Sequence, residues 1–244
     1  MGKFEFLESA LQKKFSPRYY KEDLRPFHKK PVYIAMKCFC DIPLSNILNH
    51  TNVYGKYALG FSKEWALKNS INPVAYYNKE SKFVGSIKES YNHNIKLINK
   101  LDQAKLDESF SNLAGIKIEF EKAFENFKPV KGRMWRNNKW NYGRNFYNER
   151  EWRYISNVNF GNSKYKSWYL EPDLENLNID EMNNNLEIND VIQFKYSDIN
   201  FIIVHTNEDV ENLCSLLDDL EQNDISPSLL KTRIIKIGDI RSNF

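Results

Sequence analysis

Val32-Tyr-Ile-Ala-Met-Lys-Cys-Phe39, opened by Pro31, is a short run rich in β-branched, aromatic and other apolar side chains. It is too short for a buried helix and has the composition of a buried strand. Immediately after it, Asp41 stands as N-cap of a helix with Pro43 in its first turn and Leu44, Ile47 and Leu48 on one face. Tyr57-Ala-Leu-Gly-Phe61 reads as a second strand, Ser62 as a cap for a short helix from Lys63 to Asn69, and Pro73-Val-Ala-Tyr-Tyr77 as a third strand. Strands and helices alternate here without a regular repeat and without a glycine-rich phosphate loop, which predicts an α+β fold over a doubly wound one.

Working outward, Phe4, Leu7 and Leu11 recur at helical spacing until Pro17 ends the run. Downstream, Glu80 to Lys105 and Asp107 to Phe127 have the length and polarity of two long helices, with Gly85 and Gly115 as points where they would break. A strand-rich aromatic segment spans Val130 to Ile155 and an Asn-rich loop Asn176 to Asn189. Strands Val191 to Tyr196 and Phe201 to His205, a helix from Glu208 to Gln222 and a closing strand Thr232 to Ile237 follow. No internal repeat occurs. The expected architecture is a single domain over residues 1–244, with one mixed, largely antiparallel sheet, packed helices and an acidic C-terminal part from about residue 171.

Hydrophobic residues make up 41% of the 244-residue chain and aromatics 14%, a composition that folds. No apolar run approaches the roughly 18 residues of a membrane span, and the charged, aromatic start is unlike a signal peptide, so a cytoplasmic location without membrane association is expected. Cys38, Cys40 and Cys214 are odd in number and read as buried thiols. With four scattered histidines they match no metal-ligand spacing, so no metal site is expected. Charge is segregated: residues 1–170 carry 30 basic and 16 acidic side chains, whereas 171–224 carry fifteen acidic and one basic. Such asymmetry points to an anionic partner for the basic part or to pairing between the two.

The stretch Cys38-Phe-Cys-Asp-Ile-Pro-Leu-Ser45, with His50, Tyr54-Gly-Lys-Tyr57, Leu59-Gly-Phe-Ser-Lys-Glu-Trp65 and Ile71-Asn-Pro-Val74, resembles the AbiGi family of abortive phage-resistance proteins. Pro17-Arg-Tyr-Tyr-Lys-Glu22 and Phe146-Tyr-Asn-Glu-Arg-Glu-Trp-Arg-Tyr154 carry the same likeness, which covers residues 4–155 and weakens beyond. The resemblance implies a bacterial defence role in which the protein is the antitoxin that restrains a toxin from a neighbouring gene.

The block Glu149-Arg-Glu-Trp-Arg-Tyr-Ile155 alternates: as a strand it puts Glu151, Arg153 and Ile155 on one face and Trp152 and Tyr154 on the other. Any half-exposed strand alternates in this way. A carboxylate beside arginines and ringed by aromatics can also hold a sugar hydroxyl, a phosphate and a stacked ring. That combination is similar, more distantly, to DarT-type ADP-ribosyltransferases. This second likeness implies NAD as cofactor, Glu151 as catalytic carboxylate with Glu149 second, Tyr54 or Tyr57 stacking nicotinamide, and Arg18 on phosphate. Asp41, His50 and Arg153 complete the candidate ligand-binding set. Transferases of this kind place a strand bearing His-Phe-Thr ahead of the helix that holds Leu7 and Leu11, whereas this sequence opens at about the helix: either such a strand precedes Met1 or the nucleotide-binding histidine is lost, and the second alternative would suit a binding protein better than an enzyme.

Lys128 to Arg153 interleaves eight lysines and arginines with tryptophans and tyrosines against two acids, a composition suited to phosphate contact and base stacking. Lys131, Arg133, Trp135, Arg136 and Arg144 are the candidate nucleic-acid contacts. The alternative is a solvated sheet face with its aromatics turned inward. In the helix from Glu208, the residues Val210, Leu213, Cys214, Leu217 and Leu220 form an apolar stripe suited to the core or to a partner.

Overall fold

The computed structural model describes residues 1–104, 107–157, 165–220 and 224–243. Along the chain run helix α1 (Phe4–Lys13), strands β1 (Arg18–Glu22) and β2 (Val32–Cys40), helix α2 (Ile47–Tyr54), strand β3 (Ala58–Phe61), helix α3 (Lys63–Lys68) and strands β4 (Asn72–Pro73) and β5 (Ala75–Tyr77). Long helices α4 (Lys82–Ala104) and α5 (Asp107–Phe124) lead into β6 (Phe127–Pro129), β7 (Lys131–Arg136), β8 (Lys139–Asn145), β9 (Glu151–Ile155) and β10 (Trp168–Leu170). Helix α6 (Ile179–Asn189), β11 (Ile199–Val204), α7 (Asn207–Asp219), α8 (Pro227–Lys231), β12 (Ile234–Lys236) and α9 (Ile237–Asn243) follow. The class is α+β, and the chain resolves into two compact units. One holds residues 1–16, 41–71 and 187–244, and the other residues 17–40 and 72–186.

In the second unit β2 is the central strand of an antiparallel sheet. β1 lies along one of its edges, and β10 and β9 lie end to end along the other, with β4 beyond β9. Val32, Ile34 and Met36 pack on one face with Leu24, Phe27, Val84, Tyr91 and Phe124, so α4 and α5 cover that side. Ala35 and Tyr33 pack on the other with Tyr165, Tyr169, Met182 and Leu186 from the β10 and α6 region. The first half of β2 is covered on both faces and has no position that must be polar, which is why Val32 to Met36 reads as an unbroken apolar run. β5 pairs in parallel with β6, and β7 with β8 as a hairpin turned by Asn137 and Asn138. Both turn residues have positive φ, 51° and 55°, as a type I′ connection requires and as asparagine tolerates.

The first unit is built on a three-stranded sheet in which β11 pairs antiparallel with β3 and parallel with β12. Leu7 and Leu11 of α1 are fully buried, as their spacing predicts. Phe61 stacks on Trp65 at 4.2 Å and meets Phe15 and Phe194 edge-on. Ile47, Ile203, Ile237 and Ile240 make a further core.

Several local expectations are corrected. The strands are shared among separate sheets, because β3, β11 and β12 close on one another instead of extending the β2 sheet. The Asn-rich stretch is helix α6, whose Met182 and Leu186 are fully buried at i, i+4 spacing, so tertiary packing outweighs the poor helix propensity of asparagine. Residues Val191 to Tyr196 form no strand beyond one bridge, Phe15 with Ile192. Neither Gly85 nor Gly115 breaks its helix, since both face open space. Cys38 and Cys40 are exposed. Asp41 caps nothing: the turn before α2 starts at Pro43 without a side-chain cap, and Asp41 pairs with Lys63 at 2.8 Å.

Helix α7 has a complete capping box. Thr206 Oγ1 accepts from the Asp209 N–H at 3.1 Å, and Asp209 Oδ2 accepts from the Thr206 N–H at 2.8 Å. Two of its helix donors are satisfied by this exchange. Thr206→Ala is expected to lower unfolding stability by about 1 kcal/mol, measured by urea denaturation, whereas Thr206→Ser retains most of it.

A buried charge network at the candidate site

Strand β9 brings the Glu-Arg-Glu-Trp-Arg block into the β2 sheet. A 3-10 turn at Phe146–Glu149 ends on Arg150 in the left-handed region, φ 43°, and from there the chain straightens into β9. The Glu151 N–H donates to the Tyr76 hydroxyl oxygen at 2.8 Å, and the Val74 N–H to the Glu151 carbonyl at 3.0 Å, so both neighbours hold the start of the strand. Opposite on β2, Cys40 pairs with Glu151 and Cys38 with Arg153.

The alternation of β9 is present, with an inverted meaning. The face carrying Glu151 and Arg153 is buried, and Arg153 is 0% exposed. Each nitrogen of its guanidinium donates: Nε to Glu151 Oε1 at 2.6 Å, Nη1 to the Glu125 carbonyl at 2.6 Å, and Nη2 to Glu22 Oε2 at 3.3 Å. Lys128 on β6 closes the ring, with Nζ 2.8 Å from Glu151 Oε2 and 3.3 Å from Glu22 Oε1. Two cations and two carboxylates thus satisfy each other beside the apolar core, which buried ions require.

Burial alone would push Glu151 up, but the charges of Arg153 and Lys128 prevail and bring its pKa down to about 2. Lys128 is opposed by burial and still held above the ordinary lysine range by Glu22 and Glu151. Glu125 behaves oppositely: burial raises it to about 7, with Ser167 Oγ donating to its Oε1 at 2.5 Å. Glu149 is also buried and accepts from Arg144 Nη2 at 3.1 Å.

The other candidates fall in two places. Arg18 is exposed on β1 in the same unit as Glu151, whereas Asp41, His50, Tyr54 and Tyr57 belong to the other unit. His50 and Tyr54 lie within α2, not in a loop, and their rings stack at 4.3 Å. The Tyr57 hydroxyl donates to Asp209 Oδ2 at 3.2 Å. Lys131, Arg133, Trp135, Arg136 and Arg144 all lie on the β7–β8 hairpin. Sequence reasoning missed Glu22, Glu125, Lys128 and Ser167. The available signal was the Glu-x-Arg pair itself: charges at i, i+2 in a strand covered on both faces require counter-ions from other elements.

These features define an α+β protein in which the buried Glu151 carboxylate is paired with Arg153 of its own strand and with Lys128 of β6. A family model described as "Putative abortive phage resistance protein AbiGi, antitoxin" matches residues 13–205, and the chain belongs to the AbiGi family. The abortive phage resistance protein AbiGi of Lactococcus lactis subsp. cremoris is 26% identical over 262 residues, covering 94% of this chain and 99% of that relative. No solved structure matches significantly.

Replacing Arg153 by Met strands two buried carboxylates on Lys128, and a loss of about 3–5 kcal/mol in unfolding free energy is expected from denaturant titration. The pH dependence follows from the two opposite shifts. The unfolded chain releases the Glu125 proton near 4.5 while the folded protein holds it to about 7, so this group makes stability fall as pH rises through that interval, by up to about 1.4 kcal/mol per unit. Glu151 acts the other way, its contribution being lost as pH falls from 4.5 towards about 2. Thermal unfolding of Glu125→Gln between pH 5 and 7 is expected to lack the first slope.

Proposed function

We propose that this protein is the restraining component of a phage-defence pair, binding a partner toxin and holding it inactive until infection. The observation that carries this reading is the occupation of both Glu151 oxygens by Arg153 and Lys128. A transferase carboxylate has to meet a substrate hydroxyl and the positive charge that develops as the leaving group departs. Here the carboxylate is engaged by Arg153 of β9 and Lys128 of β6. The family description, which includes the word antitoxin, supports the same reading.

The segregated charge gives such a complex its means of recognition. The unit containing residues 17–40 and 72–186 carries 24 basic and 17 acidic side chains, the other unit 11 basic and 15 acidic. Complementary potentials of this kind steer association and set partner choice. Among the described residues no helix is long and apolar enough to cross a membrane.

Co-expression with the product of the neighbouring gene tests the proposal. Co-elution on size exclusion and relief of the neighbour's toxicity are expected. Separate elution with unchanged toxicity would overturn it, as would transfer of label from NAD to nucleic acid or protein by this chain alone.

A further inference from the structure

Asp23, directly after β1, is surrounded by more positive charge than it can neutralise. Its carboxylate accepts from Arg25 Nε at 2.8 Å and Nη2 at 2.6 Å, and from Arg133 Nε at 2.9 Å. Lys79 Nζ lies 3.8 Å from the point where a side chain at Gly132 would begin, at the start of β7. Burial lowers the Lys79 pKa; the nearby Asp23 opposes this, and Arg25 and Arg133 lower it further, while the exposed Glu80 is the weakest influence. Arg144 is the cross-strand neighbour of Gly132, and its buried Nε has no hydrogen-bond partner among the described residues. Two guanidinium groups and an ammonium around one carboxylate leave a surplus of positive charge at this end of the hairpin.

Flat rings adjoin these cations. Trp135 and Trp140 meet edge to face at 5.3 Å, and Arg133 lies over Trp140 at 4.0 Å. Tyr142 follows two residues along β8, is 73% exposed, and stands near enough to Arg25 to act on its charge. β7 and β8 pair only with each other, so the hairpin forms a sheet of its own among the described residues. Arg25 is nearly half exposed, and Lys131 is exposed at the first position of β7. Surplus cations that reach solvent beside an exposed ring match a chain in which phosphates and flat bases alternate.

We propose that the Asp23 cluster and the β7–β8 hairpin form a binding site for single-stranded nucleic acid, with Arg25, Lys79 and Lys131 on phosphates and a base stacked on Tyr142. Asp23 holds the two guanidinium groups in place before the ligand arrives, so little side-chain freedom is lost on binding. An acidic protein surface would be attracted by the same cations, and competition by polyglutamate distinguishes it from a nucleic acid.

Fluorescence anisotropy with the full chain and labelled 20-nucleotide poly-dT and poly-U tests the site. With three to four phosphate contacts, affinity is expected to fall about 20- to 50-fold between 50 and 200 mM salt. Tyr142→Ala is expected to weaken binding about 5- to 150-fold without changing the salt slope. The pair Lys79→Gln and Lys131→Gln is expected to flatten the slope. Both variants should keep the parent melting temperature, since the Tyr142 and Lys131 side chains are exposed and Lys79 holds no salt bridge among the described residues. Absence of binding at 50 mM salt would overturn the proposal. Equal or tighter binding of duplex, or displacement by polyglutamate as efficient as by poly-U, would overturn it too.

Discussion

Arg153 sits with no solvent exposure on β9, between β2 and β4, and much of the second unit is arranged around it. A buried guanidinium is tolerated only where its donors and its charge are both met. β9 supplies Glu151, β1 supplies Glu22, and the end of α5 supplies the Glu125 carbonyl. Lys128 then balances the second carboxylate. Three segments far apart in sequence, around residues 22, 125–128 and 151–153, must therefore come together in one register. A shift of β9 by one residue would turn Arg153 and Glu151 to the opposite face and leave Glu22 and Lys128 without them. The network thus helps to set the register in which β9 pairs with β2.

The same constraint bears on function. Glu151 and Arg153 have the residue types of a nucleotide site, but their atoms are already committed to one another. The cations that remain available lie around Asp23 and along the β7–β8 hairpin, where a single carboxylate organises several positive groups at the protein surface. One charge cluster is closed and stabilises the fold, whereas the other is open and can meet a ligand. Both lie in the more basic unit.

Local periodicity was legible wherever neighbouring residues alone decide structure. Leu7 and Leu11 marked α1, the apolar run from Val32 marked β2, and Ser62 marked the start of α3. It failed where a distant partner decided. Asn183 lies in α6 and accepts from the Tyr19 N–H at 2.9 Å, so an asparagine that argues for a loop has a defined place beside β1. Strand β1 itself, Arg-Tyr-Tyr-Lys-Glu, is polar enough to pass for a loop until β2 pairs with it.

The sequence by itself determined the α+β class, most of the helices, the family likeness and the alternation of charge and ring in Glu149 to Ile155. Only the tertiary structure decided that the charged face of β9 is the buried one, that the strands close into separate sheets, and that Asp23 gathers Arg25, Arg133 and Lys79. The reason is the range of the forces involved. Helical and strand periodicity arise between residues a few positions apart. The contact of Arg153 with Glu22 spans 131 residues and that of Arg133 with Asp23 spans 110, distances over which the order of residues carries no record of which side chains meet.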